Sequence, residues 1–427
     1  MKNFQIITIA VFIFFGMLGI VLFATQKSGK DKVMKISVWG AYDEVIFKKV
    51  AGEISMNSKS PFEIDYKQLR EDEFDSVLIE ALASGQGPDA IILPQDKIVK
   101  YENKIIILPF SSFSERKFKD DYVEAGEVYL KSDGIVGLPF SIDPLVLYWN
   151  RDILSGAEFT KPPAFWDELY SITRKITKID NAKNILKSTI ALGEYKNVKN
   201  AKEIISALIM QAGNRIVFRE GENITVVLDK KNDKDISVAE SVLRFYTEFS
   251  NSAKEMYSWN KSFVDSKREF LKGNVAFYIG FASEMKDLRK ENPNLNFDIA
   301  KLPQARDSGL NKTFGRMNAI AVLKTSKNME NAFNVAFQMT GADAISLFSA
   351  NANLPPISRD LLEKKQETAF MDIFYKSALI SGAWLDLDPV ATDNIFGEMV
   401  EDVTSGKLRI SEAVKKASHG LYVLIKN

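Results

Sequence analysis

The segment from Asp133 to Leu154 places the strongest constraint on the fold of this 427-residue chain. The turn signal Asp133-Gly134 precedes a short apolar run, which predicts a buried strand that ends at Pro139. The alternating apolar and aromatic run Leu145–Trp149 predicts a second strand. Asp143 lies between the two strands, in a connector that prolines make rigid. Two strands joined in this way suit a chain that leaves one domain and enters another.

The chain before this segment alternates predicted strands with predicted helices. Apolar runs at 33–38, 62–66 and 90–93 predict three strands, and residues with helical spacing lie between them. This alternation favours an α/β lobe with a largely parallel sheet. Ligands of such sheets lie beyond the carboxyl ends of the strands, which here are followed by Trp39–Asp43 and Pro94–Asp96.

The chain after Leu154 continues with helices and strands and contains no internal repeat. A strand over 297–302 followed by Pro303 predicts a second crossing between lobes, and Leu354-Pro355-Pro356 predicts a third. The resulting lobes are residues 33–141 with 303–353, and residues 142–302 with 354–427. The two lobes would share mixed, largely parallel sheets and an interlobe hinge.

Composition excludes several classes of function. Lys and Arg together equal Asp and Glu at 56 each, which gives no basic surface for nucleic acid. There is no cysteine and one histidine, His419, so thiolate chemistry, Ser-His-Asp catalysis and His-rich metal sites are not expected. No phosphate-binding glycine motif is present. We therefore predict no metal and no cofactor.

Residues Phe4–Ala24 form an apolar run of about 20 residues, the length that crosses a bilayer. A secretory signal has a shorter apolar region and ends in a small-x-small site, for which Leu22-Phe23-Ala24 is a poor match. An uncleaved transmembrane anchor over residues 1–32 is favoured over a cleaved signal. The polar stretch Thr25–Lys32 would form a short tether.

Motifs spread along the chain resemble extracellular solute-binding proteins of ABC importers, the family-1 type that includes maltodextrin-binding protein. The motifs occur in the family's order from Val33 onward. They include ISVWG at 36–40, GPDAIIL at 87–93, LPFSIDPLVLYWNRDIL at 138–154, PPAFWDEL at 162–169, FLKGNVAF at 270–277 and SKNMENAF at 326–333.

The resemblance implies a two-lobe periplasmic-binding-protein-like fold of the α/β class that closes on a solute by hinge motion. It implies no catalytic activity, a monomer, and a body outside the cell membrane, anchored by the N-terminal helix. The expected partners are a small polar solute, such as an oligosaccharide or polyol, and the permease subunits of an ABC importer.

Candidate ligand-binding residues come from strand ends and from the resemblance. Aromatic rings offer flat faces to the C–H groups of a sugar, and buried carboxylates accept hydroxyl hydrogen bonds. The resemblance places four carboxylates at ligand-contacting positions, Phe281 near a sugar-stacking position, and Asp393-Asn394 near another that here lacks an aromatic. The predicted set is Trp39, Tyr42, Asp43, Asp96, Asp143, Glu194, Tyr195, Trp259, Phe281, Arg316, Asn318 and Trp384.

Two other functions remain open from the sequence. A surface glycoside hydrolase or other cell-wall enzyme would need a working pair of carboxylates. The pairs on offer, such as Asp386 with Asp388, lie in turn-like segments typical of a solvated surface. A sensor that presents its ligand to a membrane kinase is the other alternative.

Overall fold

The computed structural model describes residues 33–232, 235–306, 308–366 and 368–426. Its strands are β1 (Met34–Gly40), β2 (Phe62–Gln68), β3 (Ala90–Pro94), β4 (Leu108–Pro109), β5 (Gly134–Ile135), β6 (Leu138–Asn150), β7 (Lys178–Ile179), β8 (Ile185–Ile190), β9 (Val217–Glu220), β10 (Asn223–Val226), β11 (Val275–Phe281), β12 (Phe297–Lys301), β13 (Thr313–Val322) and β14 (Ser381–Gly382). Its α-helices are α1 (Glu44–Asn57), α2 (Phe74–Ala83), α3 (Ile98–Tyr101), α4 (Glu115–Asp121), α5 (Arg151–Gly156), α6 (Leu169–Ile176), α7 (Ala201–Gln211), α8 (Val238–Glu248), α9 (Ser266–Leu271), α10 (Met285–Glu291), α11 (Met329–Met339), α12 (Ala342–Ala352), α13 (Arg359–Leu362), α14 (Ala369–Leu379), α15 (Pro389–Thr404) and α16 (Ile410–Lys426).

A single ten-stranded sheet runs through the molecule in the order β2-β1-β3-β13-β6-β11-β8-β7, with β12 on β6 and β14 on β13. We call the part built on β1, β2, β3 and most of β13 the first lobe. The part built on β7, β8, β11, β12 and the end of β6 is the second lobe. The sheet is mixed, as predicted, but it is not largely parallel. The long strands β6 and β13 run antiparallel to each other, β6 also to β11 and β12, and β13 also to β3.

Strand β6 corrects the prediction of two strands separated by a connector. It is one 13-residue strand that contains both prolines. Its first part pairs with β13, and from Leu145 onward it pairs with β11. Pro139 does not end the strand because the register shifts there: Ser141 opposes Asn318 while Pro139 opposes Ala319, which leaves Phe140 as the extra residue of a bulge. Bulges tolerate the missing proline N–H.

Strand β13 makes the return crossing. Its first residues pair with β14 and its last residues pair with β3, so it too passes from one lobe to the other. Gly315 allows this close approach, since an added Cβ would lie 2.7 Å from the Cβ of Ser381. The Thr313 hydroxyl donates to the Leu145 carbonyl at 2.8 Å, which fixes β13 against β6 at the crossing.

The apolar core is continuous across both lobes because these two strands run through it. Its aliphatic and aromatic side chains lie on both faces of the sheet, which explains why the runs in β3 and β11 are apolar without alternation. No helix of the described ranges is both long and apolar enough to span a membrane. The predicted anchor at residues 1–32 lies outside those ranges.

Candidate functional site

The carboxyl ends of parallel strands place polar residues at one edge of each lobe. In the first lobe, β1 and β3 are parallel, and Tyr42 and Asp96 follow their ends. In the second lobe, β8 and β11 are parallel, and Tyr195 and Ser283 follow theirs. The two edges meet near Arg316 of β13, where a small cavity is lined from both lobes and a wide cavity is lined by the second lobe and Arg316.

A small cavity of about 30 Å³ lies between the lobes, which is room for about one water molecule. A wide cavity of about 800 Å³ shares Glu203 and Arg316 with it, and we call the two together the cleft. The small cavity is lined by Gln95, Asp96, Lys202, Glu203, Ser206, Phe314, Arg316, Trp384 and Asp386. The wide cavity is lined by Tyr195, Lys196, Val198, Lys199, Asn200, Ala201, Glu203, Asp265, Arg316, Asp393, Asn394, Gly397, Glu398 and Glu401.

Arg316 connects several predicted residues. It lies directly opposite Asp143 in the β6–β13 pairing. Its guanidinium carbon lies 3.9 Å from the centre of the Phe281 ring, a cation–π contact. One of its nitrogens is 4.0 Å from Glu203 Oε1, while 43% of the side chain stays exposed. Arg316 therefore presents a partly compensated positive charge to the cleft.

Asp143 lies at the point where β6 changes lobes. Its Oδ1 accepts the backbone N–H of Ser283 at 3.0 Å. Burial raises the pKa of Asp143 to about 6, although the Ser283 hydrogen bonds and Arg316 act in the opposite direction and Glu284 adds to the rise. The side chain is ionised at neutral pH and joins strand β6 to the end of β11.

Tyr42 belongs to a second polar group, on the first-lobe side. Its hydroxyl is hydrogen-bonded to the Ser141 hydroxyl and accepts from Asn318 Nδ2 at 2.8 Å. Its ring packs edge-on against Phe348 with centroids 4.8 Å apart. Burial is the main cause of the raised pKa of Tyr42, so the phenol stays protonated. The group ties the loop after β1 to both crossing strands.

A buried ion pair forms one wall of the small cavity. Lys202 Nζ lies 2.9 Å from Asp386 Oδ2 and also donates to Thr392 Oγ1 at 3.2 Å. The Thr392 hydroxyl in turn donates to Asp386 Oδ1 at 2.7 Å. Asp96 faces this pair from the first lobe, and its Oδ1 is buried without a hydrogen-bond partner in the described ranges.

Five predicted residues are held by other contacts. Trp39 is covered by Lys67, whose Nζ lies 4.1 Å from the ring, and the exposed Asp43 caps α1 by accepting from Ile46 N at 3.0 Å. Trp259 is fully buried because it stacks on Phe263 at 4.2 Å.

Glu194 is buried at 3.9 Å from Lys261. Trp384 is 5% exposed, borders the small cavity, and donates from Nε1 to Ser206 at 3.0 Å. Of the twelve predicted residues, Asp96, Tyr195, Arg316 and Trp384 line the cavities. The residues that line neither cavity are Trp39, Tyr42, Asp43, Asp143, Glu194, Trp259, Phe281 and Asn318.

Sequence reasoning missed Lys202, Glu203 and Asp386. Asp386 was expected at a solvated surface, yet it is 4% exposed. The available signal was its position between the apolar residues Leu385 and Leu387. Nothing in the sequence around Lys202 indicates that this residue is buried, since a lysine in the first turn of a helix is ordinarily solvated.

Comparison with known proteins places this geometry in context. Residues 62–339 match the bacterial extracellular solute-binding protein family. Putative binding proteins of Brucella abortus (strain 2308) and Brucella suis biovar 1 (strain 1330) are each 22% identical over 301 residues, 70% of this chain and 67% of theirs.

Three solved structures share the fold. A cyclo/maltodextrin-binding protein complexed with maltotetraose has a TM-score of 0.72 at 18% identity, over 94% of this chain and 99% of that one. The sugar-binding protein MalE from Xanthomonas citri gives 0.73 at 16%, over 92% and 98%. A Thermotoga lettingae ABC transporter solute-binding protein bound with alpha-D-tagatose gives 0.67 at 18%, over 92% and 100%. The family predicted from the sequence is thus confirmed, and this two-lobe chain belongs to the bacterial extracellular solute-binding proteins, which bind solutes rather than transform them.

Proposed function

We propose that the chain is an extracytoplasmic receptor that binds a small polar solute of the carbohydrate class between its lobes. Asp96 of the first lobe and Lys202 and Asp386 of the second line one cavity, and this convergence carries the proposal. A ligand that contacts both lobes favours the closed arrangement, because its binding free energy is available only there. The similar structures complexed with maltotetraose and with alpha-D-tagatose support a sugar.

The proposal includes delivery of the solute to the permease of an ABC importer and tethering by the N-terminal apolar segment. The domain boundaries are also proposed, as residues 33–141 with 303–353 and residues 142–302 with 354–427. One contact favours a slightly later third crossing: Val123 N donates to Ile357 O at 3.3 Å, which holds that segment to the first lobe. Edman sequencing of the membrane fraction tests the tether, since a start near Thr25 would refute it.

Lobe closure is directly measurable because the chain has no cysteine. Met56→Cys in the first lobe and Val264→Cys in the second alter side chains that are 79% and 61% exposed, and allow a fluorophore pair to report the distance. Met56→Cys with Ile79→Cys gives a control pair within the first lobe, since Ile79 is 50% exposed. A solute that binds should shorten only the interlobe distance. Bound solute with no change in that distance would count against closure.

A further inference from the structure

The cleft carries more carboxylates than cations. The carboxylates of the wide cavity are Glu203, Asp265, Asp393, Glu398 and Glu401, and its cations are Lys196, Lys199 and Arg316. The small cavity adds Asp96 and Asp386 against Lys202. A cleft lined by one excess sign of charge concentrates ligands of the other sign. The inference below rests on the proposed function and concerns the class of solute.

Neighbouring carboxylates already offset the positive charge of most of these side chains. Lys202 is paired with Asp386 at 2.9 Å, and Lys196 is paired with Glu401 at 3.0 Å. Arg316 is close to Glu203 and lies over the Phe281 ring. An anionic solute would therefore meet cations whose charge neighbouring carboxylates already offset.

One carboxylate is not compensated in this way. Asp96 Oδ1 is buried, lines the small cavity, and has no hydrogen-bond partner within the described part of the chain. Burial raises the pKa of Asp96 and Asp386 adds to the rise, while Lys202, Lys97 and Arg316 act in the opposite direction. A buried acceptor without a donor is costly, and an ionised carboxylate gains most from a charged donor. The unmet requirement at Asp96 Oδ1 is for a hydrogen-bond donor, and a positively charged donor would bind there most strongly.

The aromatic faces that suit a neutral sugar are covered. Arg316 occupies one face of Phe281, which is itself 1% exposed. Trp259 has no exposed surface, and Trp384 is 5% exposed and stacks on Phe396. These three rings therefore leave little surface on which a sugar could stack.

We propose that the cleft selects a solute that carries a protonated amine, with the ammonium held at Asp96. The described residues contain no group of three or more candidate metal ligands, which favours an organic ammonium over a metal ion. An amino sugar and a linear polyamine share this chemistry.

The experiment is calorimetric titration of the full chain with three probes, at a pH where amines are protonated. The β-1,4 tetramer of glucosamine is compared with cellotetraose, which differs only in carrying hydroxyl groups at the amine positions. Spermidine is the amine without a sugar. Asp96→Asn keeps the shape of the side chain and removes its charge. Asp120→Asn, on α4 outside both cavities, is the matched control because its side chain is 70% exposed.

We expect the glucosamine tetramer or spermidine to bind more tightly than cellotetraose, by about tenfold or more. The advantage should disappear in Asp96→Asn and persist in Asp120→Asn. Preference for the tetramer identifies an amino sugar, and preference for spermidine identifies a polyamine. Equal or tighter binding of cellotetraose with lobe closure would overturn the amine inference alone. Failure of every sugar and amine to close the lobes would overturn the proposed function as well.

Discussion

Two regions between the lobes use charge in different ways. In the cleft, a carboxylate oxygen of Asp96 has no hydrogen-bond partner among the described residues, beside the Lys202–Asp386 pair. In a second groove of about 640 Å³, lined by segments 110–132 and 210–221, the charges that cross the lobe boundary are paired. Arg219, on the β9–β10 hairpin of the second lobe, lies 2.5 Å from Glu102 of the first.

The second groove is held by a small network. Lys131 lies 3.9 Å from Glu102, and Lys312 is paired with Glu124. Ser132 donates to Glu222 at the tip of the hairpin. Trp384 borders both regions. A satisfied interlobe contact fixes a geometry, whereas an unsatisfied one leaves a place for a ligand.

The largest effect is expected at the buried pair of the cleft. Asp386→Ala leaves Lys202 charged and buried without its carboxylate, which should lower the free energy of unfolding by about 3–5 kcal/mol in urea titrations. The matched double variant Lys202→Met with Asp386→Leu removes both charges and should be far less destabilised. Equal losses in the single and double variants would contradict the assignment of the cost to an unpaired charge.

The second groove should respond less. Arg219→Met removes one member of a pair whose side chains are 10% and 18% exposed, while Lys131 remains near Glu102. We expect the free energy of unfolding to fall by about 1–3 kcal/mol and the interlobe fluorophore distance to change without ligand. If stability falls and that distance stays constant, the hairpin does not restrain the lobes.

The raised pKa of Asp143, at the point where β6 changes lobes, predicts that the free energy of unfolding depends on pH. Because its folded pKa of about 6 lies above the ordinary value of 3.8, the folded state binds the proton more tightly than the unfolded state does. Proton binding by Asp143 therefore stabilises the folded state fully below the unfolded pKa of 3.8, and this stabilisation is lost as the pH rises through the folded pKa of about 6. Asp143→Asn should match the wild type in acid and exceed it by about 1–2 kcal/mol at neutral pH. Parallel pH profiles of unfolding would contradict this.

The smallest change in stability is expected at an exposed ion pair. Arg306 lies 3.0 Å from Asp167, and their side chains are 48% and 56% exposed. Asp167→Asn should change the free energy of unfolding by no more than about 0.5 kcal/mol, with the change reduced further by salt. A loss as large as that of Arg219→Met would show that burial is not what separates the two regions.

The sequence alone determined the class of fold and the family. Apolar periodicity located the first three strands, predicted at 33–38, 62–66 and 90–93, to within one or two residues. Such patterns are local: they follow from the spacing of side chains along one helix or strand, and neighbours in space hardly alter them. The polar residues after strand ends were found for the same reason, since a parallel sheet fixes where its carboxyl ends lie.

How the lobes are joined and which side chains face the cleft depend on tertiary contacts, which the sequence patterns do not reveal. Pro139 predicts a strand end locally, but pairing with β13 and a bulge at Phe140 keep β6 continuous. Trp259 at a predicted loop and Asp386 in a predicted turn are both buried, because packing partners distant in sequence cover them. Burial and ion pairing depend on the sum of nonlocal contacts, which no single stretch of sequence contains.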